Sequence, residues 1–198
     1  MPDYEYETKA KESGYKFVCG VDEAGRGPLA GPVCAAAVIL PENCDIPGLN
    51  DSKKLSEKKR EQLFPIIKEK AISFSVAFAE VEEIEEYNIL NATFLAMNRA
   101  ISSLDKKAEF ALIDGNRIPK ECPVPCLTVV KGDSLSMSIA AASVLAKVTR
   151  DRLMLQLDEE YPQYNFKKHK GYGTAEHMEL IRKFGPCACH RMSFLKKL

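Results

Sequence analysis

No run of eighteen apolar residues occurs in the 198-residue chain, and its N-terminus is not basic-then-apolar. A membrane-spanning helix and a signal peptide are therefore not expected. The chain also lacks internal repeats and low-complexity segments, which sets aside solenoids and linker-like tracts. It has no net charge, because 28 Lys and Arg balance 28 Asp and Glu. That balance argues against a nucleic-acid binder only if the charges are evenly spread. They are not: residues 1–50 carry four cations against eight anions, net −4, and residues 167–198 carry eight cations against two anions, net +6. All three histidines, His169, His177 and His190, lie in that basic end. A phosphate-binding surface is expected there. Seven cysteines, an odd number in a chain with no export signal, read as reduced thiols of a cytoplasmic protein.

What is present is enough for one cored domain with an appendage. Residues 1–15 are polar and read as a loose arm or a short edge segment. Strands are expected over 16–22 and 33–40, joined by a short Gly/Pro-rich link and hence antiparallel. A helix capped by Ser56 follows, broken or restarted at Pro65. Ile72, Phe74, Val76 and Phe78 alternate, as a third strand does. An acidic short helix over 81–87 precedes an amphipathic one bearing Leu90, Phe94, Met97, Ile101 and Leu104. Strands over 109–113 and 125–130 come next, then a long helix stopped at Tyr161-Pro162. A last helix runs from Thr174 to Phe184, ended by Gly185-Pro186. The expected class is α/β, a mixed five-stranded sheet flanked by helices. Residues 1–160 make the main domain, and 161–198 a helical segment packed on it.

Acids stand at three strand ends. An apolar run enters Asp22-Glu23, another enters Asp114-Gly115, and a third leads to Gly132-Asp133. Buried carboxylates are costly unless paired, and ligands gather at such strand ends in open α/β sheets. Neighbouring strand residues point to opposite faces, so Asp22 and Glu23 reach one point only if the strand breaks at Ala24-Gly-Arg-Gly-Pro28. With no Cys/His cluster beside them, the acids suit Mg²⁺ or Mn²⁺, two ions in the arrangement used for phosphoryl transfer. Each acid also has a plainer role open to it. Asp133 or Ser134 can cap the long helix, Asp114-Gly115 can be a turn, and Asp22-Glu23 can be a structural ion-pair site.

The chain resembles the type 2 ribonuclease H family, ribonuclease HII. The resemblance is carried by Val21-Asp-Glu-Ala-Gly-Arg-Gly-Pro28, Asp51-Ser-Lys-Lys-Leu55, Asp114-Gly-Asn116 and Lys131-Gly-Asp133. It continues through Ile139-Ala-Ala-Ala-Ser143, Ala146-Lys-Val-Thr-Arg-Asp151, Lys170-Gly-Tyr-Gly-Thr174 and His190-Arg-Met-Ser-Phe194. These occur in the family's order across residues 17–194. The resemblance implies a ribonuclease H-like fold and assigns the four metal-binding, catalytic acids to Asp22, Glu23, Asp114 and Asp133. It further implies that Gly25-Arg26-Gly27 contacts a ribose 2′-hydroxyl through backbone groups and that Tyr172 senses substrate. The implied activity is hydrolysis of the RNA strand of RNA–DNA hybrids and cutting 5′ of single ribonucleotides in duplex DNA. That reaction leaves 3′-hydroxyl and 5′-phosphate ends and serves ribonucleotide and primer removal, by a monomer.

The residues agree on their own account. Glycines beside Arg26 allow close backbone approach to a sugar, and the 2′-hydroxyl is what separates RNA from DNA. Arg26 either pairs with a phosphate or neutralises Asp22-Glu23. Tyr172 is a stacking ring or a loop anchor, Lys53, Lys54 and 167–170 are phosphate contacts or a solvated face, and Lys147/Asp151 is an i,i+4 helix pair. Cys122-x₃-Cys126 and Cys187-x-Cys189-His190 have zinc-ligand residues. However, Pro123 and Pro125 stiffen the first pair and nothing in the sequence brings the pairs together; the resemblance does not require cysteine at 187 and 189, so those two read as local variation. Two other readings stand beside the endonuclease: a four-carboxylate 3′–5′ exonuclease, and a non-catalytic hybrid-binding module. An acid–base ribonuclease working through the tail histidines would leave cyclic phosphate ends and survive EDTA.

Overall fold

The computed structural model describes residues 1–196; Lys197 and Leu198, the former counted in the basic end, lie outside the described residues. Five strands, β1 Val18–Ala24, β2 Val33–Ile39, β3 Ser73–Ala79, β4 Phe110–Asp114 and β5 Cys126–Val129, form one sheet. Its order is β3-β2-β1-β4-β5. The β1–β2 and β2–β3 pairs are antiparallel, and β1–β4 and β4–β5 are parallel. This is the expected mixed α/β sheet.

Helices cover both faces because β2 is apolar on both. Val33, Ala35, Ala37 and Ile39 pack with Ala92, Ala96, Met97, Ala100 and Ile101 of α3 (Val81–Ser102). Cys34, Ala36 and Val38 meet Leu63 and Ile67 of α2 (Glu57–Lys70) and Ala140, Ala141, Val144 and Leu145 of α4 (Met137–Glu160). Small residues let α4 lie almost on the strands. A Cβ on Gly20 of β1 would stand 2.1 Å from the carbonyl carbon of Ser138, so only glycine fits.

Several expectations give way to the structure. Residues 1–15 hold a docked helix, α1 (Glu5–Glu12), rather than a loose arm. Its Glu7 is buried and accepts hydrogen bonds from Ser136 Oγ (2.6 Å), the Ser138 amide (2.9 Å) and Ser138 Oγ (2.5 Å). Helix α2 passes through Pro65, whose exposed position leaves the freed carbonyl of the preceding turn to water. Within α3 the two expected helices meet at Asn88, at φ 66°, whose side chain accepts from the amides of Leu90 and Asn91. Helix α4 is capped by Ser136, which accepts from the Ile139 amide at 3.2 Å, and not by Asp133 or Ser134. Those two residues lie in a separate 3₁₀ turn, Gly132–Ser134.

After α4 the chain makes a 3₁₀ turn at Pro162–Tyr164 and two further helices, α5 (Phe166–His169) and α6 (Ala175–Phe184). Thr174, the expected start of this helix, is its cap, accepting from the His177 amide at 3.2 Å. Tyr164, Phe166 and Ile181 pack here with Ala30 and Met154. This segment is less of a basic surface than its composition predicts. His169, His177, His190 and Arg191 are all buried, Lys168 pairs with Glu176 at 2.5 Å, and Lys167 lies 3.9 Å from Asp158.

Candidate active site

Parallel pairing sets the site. Val21 of β1 lies opposite Ile113 of β4, so Asp22 and Asp114 leave the same end of adjacent central strands. The 3₁₀ turn after β5, entered through left-handed Lys131 (φ 57°), brings Asp133 beside them. Carboxylate oxygens of Asp22, Asp114 and Asp133 lie within 4.8 Å of one another, with Asp22 and Asp133 buried. Asp114 Oδ1 accepts the Gly132 amide at 2.7 Å, which fixes the turn to the strand end.

Glu23 does not join that group. The strand continues in register through Glu23 to Ala24, so the break expected after Glu23 does not bring the two acids to one point. Alternation instead turns Asp22 toward α4 and Glu23 toward α3. Glu23 lines a cleft with Arg26, Leu90, Phe94, Met97 and Asp114. A second cleft holds Asp51, Lys53, Lys54, Asp114, Lys131 and Asp133. Asp114 belongs to both, so the two clefts flank it.

The electrostatics are those of a site short of positive charge. Burial, then Glu23 and Asp114, push the Asp22 carboxyl well above its usual range, although a hydrogen bond from Ser143 opposes this. Burial, Asp114 and Asp51 push Asp133 up to about 6. Glu23 is raised by burial and by Asp114, against the pull of Arg26, whose Nη1 lies 3.3 Å from Glu23 Oε1. Lys53 reaches Asp133 at 3.7 Å but is largely solvent-exposed, so it offsets little. Clustered all-oxygen donors, with Asp22, Glu23 and Asp133 held above their usual range, fit a hard divalent cation of the Mg²⁺ or Mn²⁺ kind.

Around the acids stand residues to which the sequence reading gave no role. Ser143 donates to Asp22, and its Oγ lies 2.8 Å from that of buried Ser52. Asp51, which caps the Ser52–Lys54 turn through the Lys53 amide, crowds Asp133. Both serines lie inside quoted motifs, Asp51-Ser-Lys-Lys-Leu55 and Ile139-Ala-Ala-Ala-Ser143. A small hydroxyl in an apolar helix was the available signal.

The Gly25-Arg26-Gly27 turn adjoins the acids. Gly25 sits at φ 97°, and a Cβ there would fall 2.0 Å from Arg150 Nε, so glycine is required on both counts. Arg150 donates to the carbonyls of Ala30, Pro32 and Lys170, and Arg191 to those of Gly25, Arg26, Pro28 and Gly31. The turn is thus held from beneath by two buried guanidiniums. Tyr172 is 43% exposed, and its ring edge would lie 3.8 Å from a Cβ on Gly27. Lys147 Nζ stands 5.8 Å from its ring centroid and pairs with Asp151 at 2.7 Å, the expected helix pair. Asp151 also lies 3.8 Å from Arg60. The tail histidines face each other instead of either cleft. His169 and His177 stack at 4.3 Å, and burial lowers both, His177 to about 4.

The family model described as Ribonuclease HII matches residues 19–197. A Ribonuclease HII of Caldanaerobacter subterraneus subsp. tengcongensis is 55% identical over 193 residues, covering 98% of this chain and 80% of the relative. One from Idiomarina loihiensis is 58% identical over 178 residues, covering 90% and 95%. The crystal structure of ribonuclease H2 from Pyrococcus horikoshii OT3 superposes with a TM-score of 0.74 at 27% identity, over 90% of this chain and 93% of that one.

Proposed function

The chain belongs to the ribonuclease HII family of ribonuclease H hydrolases, and from that premise we propose that it is an endonuclease acting on ribonucleotides in two settings. It hydrolyses the RNA strand of RNA–DNA hybrids and cuts 5′ of single ribonucleotides embedded in duplex DNA, in the service of ribonucleotide and primer removal. The observation that carries this reading is the convergence of Asp22, Asp114 and Asp133 from three chain segments beside the Gly25-Arg26-Gly27 turn.

Asp22, Asp114 and Asp133 would hold the divalent ions, Mg²⁺ or Mn²⁺ and two per site, and Glu23, which shares a cleft with Asp114, would add a fourth carboxylate. When bound, such ions acidify an attacking water and stabilise charge on the leaving oxygen. The chain's own residues do the rest. The Ser52–Ser143 hydroxyl pair orients Asp22, and Lys53 and Lys54 bind the phosphate backbone along their cleft. Arg26 either holds Glu23 or takes a phosphate. The backbone of Gly25-Arg26-Gly27 reads the 2′-hydroxyl, which is recognised and is not the nucleophile. Tyr172 stacks at the ribonucleotide, and the segment after residue 160 positions that ring. The enzyme works as a monomer.

The test is cleavage of a duplex with blocked ends and one internal ribonucleotide, alongside an all-RNA hybrid, with Mg²⁺, Mn²⁺ or EDTA. Internal cutting with 3′-hydroxyl and 5′-phosphate ends, abolished by EDTA, is expected. Activity that needs free ends would make it an exonuclease, and cyclic phosphate or EDTA resistance would end the metal reading. Asp133→Asn that neither binds nor cuts would leave a non-catalytic binding module in play; binding retained without cutting excludes it.

A further inference from the structure

We infer that Cys187, Cys189 and His190 form a second metal site, selective for a thiophilic divalent ion of the zinc class and separate from the acidic centre. The three donors occupy one turn after α6, with ligand atoms all within 4.8 Å of one another. Cys187 Sγ lies 3.3 Å from Cys189 Sγ and 3.1 Å from His190 Nδ1. Tetrahedral zinc, with bonds of about 2.3 Å to sulfur and about 2.0 Å to nitrogen, spaces such donors roughly 3.5–3.8 Å apart. The turn therefore needs to open by only a few tenths of an ångström.

The donor set is soft where the acidic centre is hard, so the two sites sort ions by chemistry. The other cysteine pair is elsewhere: Cys122 and Cys126 pack beneath α3, while Cys187 and Cys189 pack with Tyr164 and Phe166. Three protein ligands suffice here without that pair. Among the described residues no fourth His, Cys, Asp or Glu joins the group. Cys189 lines a cleft with Glu80, Glu160 and Tyr161, from which a water could supply a fourth ligand.

The imidazole is prepared for the role. His177 Nδ1 lies 2.9 Å from the Tyr172 carbonyl, which can only accept, so that nitrogen carries a proton. At the other end the Cys187 amide donates to His190 Nδ1 at 3.0 Å, so that nitrogen is bare. Between them His190 Nε2 meets His177 Nε2 at 3.1 Å and must be the donor. The Nδ1 lone pair, 3.1 Å from Cys187 Sγ, is thus kept free of a proton by a chain of hydrogen bonds ending on the backbone of Tyr172. Such outer partners normally orient a ligating histidine. The bond from the Cys187 amide is what a metal would displace.

The experiment uses the full chain stripped with chelator and titrated first with Co²⁺, then Zn²⁺. One equivalent of Co²⁺ should produce a near-ultraviolet thiolate-to-cobalt band, and an equivalent of Zn²⁺ should bleach it. With zinc bound, two fewer of the seven thiols should react with a thiol reagent. Cys187→Ser and Cys189→Ser should each lose the band and bind zinc at least about 100-fold more weakly, whereas Asp22→Asn should keep it. The thiol count uses the unaltered chain, so it stands even if a variant misfolds. Absence of the band, its survival in both serine variants, or thiol reactivity unchanged by zinc would overturn the site.

Discussion

The Arg191 guanidinium, fully buried, donates through Nη2 to the carbonyl of Gly25 at 2.6 Å. Its other donors reach the carbonyls of Arg26, Pro28 and Gly31, so one side chain from the last turn of the tail fixes the loop that follows β1. Lysine keeps the charge but offers a point of donors in place of a planar fork. Arg191→Lys should leave at least two buried carbonyls unpaired and cost about 2–4 kcal/mol in urea unfolding. Cleavage at a single ribonucleotide should fall more than divalent-ion affinity does, because the loop and not the acidic cluster is loosened. Unchanged stability would show that the carbonyls find other partners.

Burial, with Asp114 and Asp51 beside it, pushes Asp133 up to about 6 in the folded chain, against 3.8 as its ordinary value. Between these values the folded chain holds the extra proton, so this group's contribution to stability falls as pH rises from 4 to 6 and stays low above. Removing the charge should therefore help the ion-free protein. Asp133→Asn in EDTA should melt about 2–4 °C above the parent at pH 7, with the advantage shrinking toward pH 5. Cleavage should drop roughly 10³-fold or more. An advantage that grew on acidification would contradict the raised pKa.

The sheet was legible because its strands carry period-two or all-apolar patterns, and strand-end acids announced the site's place. What escaped was decided by tertiary contacts. Ser136 displaced Asp133 as the α4 cap because α1 brings Glu7 onto Ser136 and Ser138, a contact between residues 129 apart in sequence. Asp22 and Glu23 separated because antiparallel pairing with β2 holds the strand straight to Ala24, where local glycine content predicted a break. The basic end misled for a different reason. Charge counts treat every cation as surface, yet Arg191 spends its charge on buried carbonyls and the histidines stack among themselves.

Lys53 and Lys54 share a cleft, but only Lys53 is 3.7 Å from Asp133. As phosphate contacts, each changed to Gln should make the negative slope of log kcat/KM against log salt shallower by about 1. Lys53→Gln should also move the acidic limb of the pH–rate profile upward, since Lys53 pulls the Asp133 carboxyl down, whereas Lys54→Gln should not. Identical profiles for the two variants would confine Lys53 to phosphate binding.

Tyr172 presents a 43% exposed ring beside Gly27, with Lys147 near its face. Little of the core depends on that ring, because the backbone around it is tied separately: its amide donates to His169 and its carbonyl accepts from His177. Tyr172→Ala should thus leave unfolding within about 0.5 kcal/mol of the parent. If the ring stacks at the ribonucleotide, its loss removes about 1–3 kcal/mol, so kcat/KM on a single-ribonucleotide duplex should fall roughly 10- to 100-fold. Tyr172→Phe keeps the stacking face and should recover most of that loss. A phenylalanine variant as poor as the alanine one would assign the role to the hydroxyl instead. An alanine variant with full activity would return Tyr172 to the status of a loop anchor.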